Sequence, residues 1–425
     1  MANLRSAAAY SFLGYAVYSA SNIINFLQLN RAATITTVGT YTLAVAITSP
    51  VFDFLMLQLR GILNTDARQE FRFSDYFTLR LIAMTLAVFV SLAIGAVTDA
   101  QQLTPILLFF ATRLGVEGIS DVMYGFQQQS GSMKFVGISM AARGAIGIAA
   151  FALGTAFGDV IAYGLPLYLL GSILLLLGLD YPQARRARQL GTANPETDPE
   201  SFAIRWNFRP AALPKMLLLV APLAVTMLLI SLHQNVMRYF LEASFTRDVL
   251  AIFTAATYLT IIGRTVVVAV GQASSTELAR AFTQRNWDRL YHVRQRLRLM
   301  TGVLAAATIA LGAIGGTRLM TVAFGPEYRI DSLTLVVILT GGAVSFFGSI
   351  NGYVLTAMRE IKVQLPIRVA SLLSTVAWAI VAVPQSGLLG AAIATLVGNA
   401  VQLAWGTAVA DRTLRTHRRA AEAAA

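Results

Sequence analysis

The sequence predicts an all-α polytopic membrane protein, with about 12 transmembrane helices in two pseudo-symmetric six-helix bundles around a central cavity. Three observations lead there. The 425 residues are 56% hydrophobic and 13% charged, against roughly 45–50% and about 25% in soluble domains. Charge that sparse cannot cover a water-soluble particle of this size, and the mean hydropathy is +0.63. The apolar residues also gather into stretches close to the ~20 residues that a helix needs to cross a bilayer. Cysteine is absent, which excludes a disulfide-stapled secreted scaffold.

These stretches predict spans near 9–28, 38–59, 80–98, 103–125, 135–157, 159–179, 215–235, 249–271, 299–316, 332–355, 365–384 and 388–408. No small-residue cleavage site follows the first, which therefore reads as an uncleaved span and not as a signal peptide. Twelve spans put both termini on one side. Of the 33 Lys and Arg residues, twenty-five fall on that side, clustered at 60–80, 185–215, 280–298, 359–368 and 412–419. The opposite side holds only Arg31, Arg238, Arg247, Arg318 and Arg329, while Arg113, Arg143 and Arg264 sit within spans. This asymmetry follows the positive-inside rule and makes the termini cytoplasmic. The net charge of +12 is thus mostly topogenic, and nucleic acid is not expected as a partner.

One connection, 180–214, is polar, contains proline and divides the chain. It suggests an N-terminal bundle over 1–189, a cytoplasmic linker at 190–214 and a C-terminal bundle with a cytoplasmic tail over 215–425. A faint repeat supports the division. Thr65–Phe71 resembles Thr276–Phe282, and Tyr41-Thr42 matches Phe253-Thr254, at an offset of 211 or 212 residues. Six spans per repeat makes the halves parallel, a plan common in transporters that bind substrate between repeats. The stretch 276–298, with Leu278, Phe282, Leu290 and Leu297 among six arginines, reads as a basic surface helix on anionic headgroups.

Ionisable residues inside a bilayer are costly and face a cavity or a partner. Arg113, Glu117 and Asp121 recur every four residues in span 4 and so share one helical face. Glu117 and Arg143 lie at matched depth across the hairpin of spans 4 and 5, which predicts an ion pair. That pair reads either as structural or as a titratable carboxylate in a transport cycle. Asp53 and Arg264 are separated by the repeat offset and are expected to pair as a gate, or else to reach separately for the interface. Ser11, Tyr15, Tyr18, Asn22 and Asn25 form a polar stripe on span 1, and span 7 ends in His233, Gln234, Asn235 and Arg238. The two stripes point to a hydrophilic lumen.

Neither a Gly-x-x-x-x-Gly-Lys-Ser/Thr phosphate loop nor a His-Glu-x-x-His zinc motif occurs in the sequence, so the signatures of an ATPase and of a zinc enzyme are missing. Outward connections are short, leaving little room for the catalytic loop that a membrane-embedded glycosyltransferase or ligase would carry.

Several short motifs occur in a telling order. They are Gly39-Thr-Tyr41-Thr-Leu-Ala, Leu57-Gln58-Leu59-Arg60, Glu117-x-x-x-Asp121-x-x-Tyr124-Gly125-x-x-Gln128, Met133-Lys134 and Ala142-Arg143-Gly144. The second half adds Arg238-Tyr239-Phe-Leu-Glu242, Phe324-Gly325-x-Glu327-Tyr328 and Gly387-x-x-Gly390-Ala-Ala-Ile-Ala394. With these the chain resembles the polysaccharide exporter family of oligosaccharide-lipid flippases, the O-antigen flippase-like branch of the superfamily that includes multidrug and toxin extrusion antiporters. The resemblance implies alternating access between two bundles in a bacterial inner membrane. The implied cargo is an oligosaccharide linked through pyrophosphate to undecaprenol, moved outward for surface polysaccharide such as lipopolysaccharide or exopolysaccharide. It implies transport and no catalysis, no cofactor beyond a coupling H+ or Na+, and membrane lipids and other polysaccharide assembly proteins as partners.

A pyrophosphate calls for cations, and arginine grips phosphate through paired hydrogen bonds. Arg264 is the foremost candidate, with Arg113, Arg143 and Arg238 beside it. Tyr15, Tyr18 and Asn22 are the expected sugar contacts, and Asp53, Glu117 and Asp121 the expected coupling or gating carboxylates. A multidrug antiporter would share the fold but line its lumen with acids to take cations.

Overall fold

The computed structural model describes residues 2–65, 71–129, 133–191, 212–360 and 362–423, and all regular structure among them is helical. The helices are α1 (Ala2–Ala32), α2 (Ile35–Leu55), α3 (Leu59–Thr65), α4 (Phe73–Thr98), α5 (Leu103–Gln129), α6 (Met133–Ala156), α7 (Leu165–Leu175) and α8 (Tyr181–Gly191). They continue as α9 (Ala212–Ser244), α10 (Arg247–Tyr258), α11 (Ile261–Thr283), α12 (Trp287–Phe324), α13 (Ser332–Ala357) and α14 (Gln364–Ala423). Two π-helical turns, Val160–Gly164 and Leu176–Asp180, join α7 to its flanks, so that one continuous rod runs on into α8.

Eight of these rods are long and apolar enough to cross a membrane, and the bent pair α10–α11 makes a ninth. Helix α14 contributes two spans because it reverses at Gly387, whose φ of 55° suits a residue without Cβ. The Ser371 hydroxyl on one arm donates to the Gly398 carbonyl on the other at 2.7 Å. With α1 and the charge-bearing α5, the described residues hold the twelve spans expected. Large apolar side chains on their outer faces, such as Phe89, Val97 and Ile314, are exposed, as lipid-facing positions are. The protein is a multi-pass membrane protein.

The chain forms two compact units, Met1–Ser231 and Leu232–Ala425. The division falls inside α9, and nearly all of the expected linker at 190–214 lies outside the described residues. In each unit the second, third and fourth spans pack on one another: α2–α3, α4 and α5 in the first, and α10–α11, α12 and α13 in the second. In both, the second span is broken. Leu57 and Gln58 take left-handed backbone (φ 52° and 50°) between α2 and α3, and α10 meets α11 at 42°. Such backbone costs a non-glycine residue roughly 1–3 kcal/mol and persists only where its surroundings fix it. Here Leu57 and Leu59 are buried in the core of the first unit with Phe52, Leu63 and Phe126.

Helices α1 and α6 run parallel in close contact. Gly14 faces Gly137, Ser21 faces Gly144 and Asn25 faces Gly147, leaving no space for a larger side chain at the glycines. Small residues permit this approach where lipid offers no hydrophobic drive for association.

The basic surface helix expected over 276–298 is not one element. Helix α11 ends at Thr283, Arg285 turns the chain with φ 53°, and α12 starts at Trp287 under an Asn286 cap. The reason lies in its leucines: Leu278, Leu290 and Leu297 are buried in the core of the second unit. Arg294 is buried with them and pairs with Asp411 at 2.5 Å.

Candidate functional site

In the first unit the charged residues of α5 anchor two ion-paired sets, and a third lies against its Ser120 and Tyr124. Arg113 Nη1 donates to Glu117 Oε2 at 2.7 Å, one helical turn apart. The same carboxylate accepts the Tyr18 hydroxyl, while the Arg113 guanidinium lies 4.6 Å from the Tyr168 ring centroid. Asp121 is held from two sides, by Arg60 at 3.1 Å and Arg80 at 3.2 Å. Arg60 also donates to the Tyr15 hydroxyl and to Gln128. Deepest is Arg143, fully buried, which donates to Asp180 at 3.1 Å, Ser120 at 2.9 Å and Tyr124 at 3.4 Å. Ser139 and Tyr124 donate to the same Asp180 carboxylate.

The expected Glu117–Arg143 pair remains within electrostatic reach, but the direct salt bridges are two others. Glu117 takes Arg113 from its own helix, and Arg143 takes Asp180. The π turn Leu176–Asp180 rotates that carboxylate inward, which a straight-helix reading of the sequence does not anticipate. Asp180 reads there as the start of a polar connection, and Arg60 and Arg80 as topogenic charges. All three belong to the buried network. The available signal is a basic residue at the end of span 2 and another at the start of span 3, on the side of the bundle where Asp121 lies.

The first-unit residues expected at the sugar and the gate have diverse surroundings. Tyr15 and Tyr18 turn to Arg60 and Glu117, Asn22 is exposed, and Ser11 carries a side chain outside the described set. Asp53 is exposed and accepts a hydrogen bond from Ser231.

The second unit holds its intramembrane cations differently. Arg264, exposed midway along the α10–α11 pair, donates to Gln234 Oε1 at 3.3 Å. Arg238 donates to Asn235 Oδ1 at 2.8 Å and stands within electrostatic reach of Arg264 and of the Tyr258 and Tyr239 hydroxyls. Arg368 on α14 donates to Gln402 Oε1 at 3.3 Å. Next to Gln234 in the chain, His233 meets Thr375 at 3.3 Å and Ser371 at 3.5 Å. The polar end of α9 thus lies between α11 and α14 as a belt of amides, hydroxyls and guanidinium groups. Among the described residues no carboxylate comes within ion-pair distance of Arg238, Arg264 or Arg368.

An amide oxygen solvates a guanidinium without cancelling its charge. Arg238 and Arg264 together leave two positive charges and most of their N–H donors uncommitted at membrane depth. Chemically the arrangement suits a multiply charged anion with several acceptor oxygens.

No family model matches the sequence. The fold is that of the MOP-superfamily transporters. A multidrug resistance MATE family transporter of that superfamily, in an inward-facing conformation, superposes with a TM-score of 0.70 at 11% identity, over 96% of this chain and 99% of that one. A MOP superfamily transporter from Pyrococcus furiosus, described by a binding pocket of reverse polarity that suggests a different function, gives 0.66 at 15% identity, over 98% and 96% of the two chains. Among curated proteins, the capsular polysaccharide biosynthesis protein CapF of Staphylococcus aureus is 23% identical over 396 residues, 93% of this chain and 96% of that protein. The family resemblance read in the sequence is thereby upheld on both sides: the fold is a transporter fold, and the curated relative serves polysaccharide biosynthesis.

Proposed function

We propose that this protein is a flippase for oligosaccharide linked through pyrophosphate to undecaprenol, moving it from the cytoplasmic to the periplasmic leaflet of a bacterial inner membrane, with both termini cytoplasmic. The observation that carries this reading is the pair Arg238 and Arg264, held among the described residues by amide oxygens and by no carboxylate. A pyrophosphate brings about two negative charges and fork-matching oxygens, which arginine binds in bidentate fashion. An amphiphilic cation, the cargo of a multidrug antiporter, would meet repulsion there. The CapF name supports polysaccharide as the end product, and the Pyrococcus furiosus transporter, whose binding pocket of reverse polarity suggests a different function, is a precedent for a pocket on this fold that does not take cations.

The protein translocates and leaves every bond of its cargo intact. Glu117 and Asp121 are each committed to arginine, so among the three expected carboxylates Asp53, which accepts a hydroxyl from Ser231, is the one available for a coupling proton or sodium ion. Arg113 and Arg143 are structural by the same reasoning.

Deletion of the gene followed by analysis of lipid-linked glycans is the test. Accumulation of undecaprenyl-pyrophosphate oligosaccharide in the inner leaflet is expected, with Arg264→Gln reproducing it while the protein stays in the membrane. Unchanged glycans with altered drug sensitivity would sink the proposal in favour of an extrusion antiporter.

A further inference from the structure

Two consecutive residues of α9 each hold one of the arginines that lack a carboxylate. The Asn235 carbonyl oxygen accepts from Arg238 Nη1 at 2.8 Å, and the Gln234 carbonyl oxygen accepts from Arg264 Nη1 at 3.3 Å. The two holds differ in kind. Asn235 is 4% exposed and reaches Arg238 along its own helix, three residues on, a spacing at which side chains are already neighbours. Gln234 and Arg264 are both exposed, come from different helices, and meet at the long end of the hydrogen-bond range.

A short bond from a buried amide is a fixture, whereas a long one between exposed side chains is open to exchange. A phosphate oxygen arriving at Arg264 can take the place of the Gln234 oxygen, because an ionised acceptor adds the attraction of a full charge to what a neutral amide offers a guanidinium. The displaced amide is not lost to the site. It carries two N–H donors, and turning its plane over presents them to the same anion. A carboxylate of the same size can do neither. It would cancel the charge of Arg264, as Glu117 at 2.7 Å cancels that of Arg113 in the first unit, and it has no donor to offer when ionised.

We infer that Gln234 is the specificity-determining residue of this site, an exchangeable ligand that keeps Arg264 charged and placed until a phosphate oxygen takes its position. The choice of amide over acid at 234 then sets the sign of charge that the site accepts. The inference rests on the flippase reading for the identity of the anion. It goes further in assigning selectivity to a neutral side chain beside the arginines, and not to the arginines alone.

Titration calorimetry on the full chain in phosphatidylcholine nanodiscs tests it, with inorganic pyrophosphate and the monoanion dimethyl phosphate as probes. Gln234→Glu should weaken pyrophosphate by roughly a hundredfold, the scale on which a like charge opposes a ligand. It should weaken dimethyl phosphate less, because fewer charges meet the new carboxylate. Gln234→Met, similar in length but without charge or donor, should weaken both probes alike by roughly tenfold, the loss of one hydrogen bond to a charged group. A Gln234→Glu variant that binds pyrophosphate as well as Gln234→Met does, or that loses both probes equally, would overturn the inference and leave the flippase reading standing. Gln234→Met binding both probes as the parent does would overturn it as well, since the amide would then contribute no bond to the anion. A parent that binds neither probe would instead count against the flippase reading, and against the anion on which this inference rests.

Discussion

Both units carry arginines at membrane depth, and they stabilise them in opposite ways. In the first, Arg60, Arg80, Arg113 and Arg143 all lie on carboxylates, with Arg60 and Arg80 sharing Asp121, so most of the charge is cancelled where it is buried. In the second, Arg238, Arg264 and Arg368 lie on amide oxygens, so their hydrogen bonds are served while their field remains. The difference separates architecture from function. A cancelled charge fixes helices to one another and has nothing left for a ligand. A solvated charge contributes little to the fold and stays ready for an anion.

The largest expected effect is in the first unit. Asp180→Ala leaves Arg143, with 0% of its side chain exposed, without a counter-charge, and removing one partner of such a pair costs about 3–5 kcal/mol. Thermal unfolding in detergent should show it, and Arg143→Met combined with Asp180→Leu should recover most of the loss. A double variant as unstable as the single one would mean that the ion pair is not the source. Next is Asp121→Asn, which leaves Arg60 and Arg80 facing each other. Asp121 is 24% exposed, so water offsets part of the repulsion, and a loss of about 2 kcal/mol is expected by the same measurement.

A change away from both arginine sets calibrates the scale. Asp331 caps α13, accepting the Thr334 N–H at 2.8 Å, and Asp331→Ala should cost about 1 kcal/mol. Slight burial raises the Asp331 carboxyl, but bonds from the Thr334 side chain and backbone and from the Leu333 N–H outweigh it and hold the group below its ordinary value. Its contribution is therefore complete above the unfolded value of about 3.9 and fades as pH falls through the lower folded value. Midpoints of the variant and the parent should converge in that acidic range, and a constant gap would refute the capping role. The smallest effect on stability belongs to Arg264→Gln, within roughly 0.5 kcal/mol as for other exposed sites, although export should be lost. A large loss of stability there would erase the distinction between the units.

The spans and the doubling of the fold are legible in the sequence because both rest on hydropathy, which a linear pattern carries faithfully. The short motif at Gly387 likewise coincides with the reversal of α14. Pairing is less legible. Glu117 and Arg143 are at matched depth, yet partner choice depends on helix rotation, and Arg113 one turn away on the same helix has the advantage. Arg60, Arg80 and Arg368 lie near the ends of spans, where a tally of loop charges takes them for orientation signals. Their long stems let them reach inward from such positions. The left-handed pair Leu57-Gln58 redirects Arg60, and nothing in two ordinary helix-forming residues announces it.

The π turn at Leu176–Asp180 has a further consequence for how this chain tolerates change. Each residue in an α-helix advances the side chains by roughly 100° about the axis, and a π turn accommodates one extra residue without breaking the rod. It acts as a phase adjuster, setting the angular alignment of α8 independently of that of α7. Because the turn absorbs the extra residue, excising one residue between Leu176 and Gly178 would let the rod relax to a uniform helix with Asp180 still in phase with Arg143. A single-codon deletion there should therefore cost far less stability than Asp180→Ala, in the same thermal-unfolding measurement.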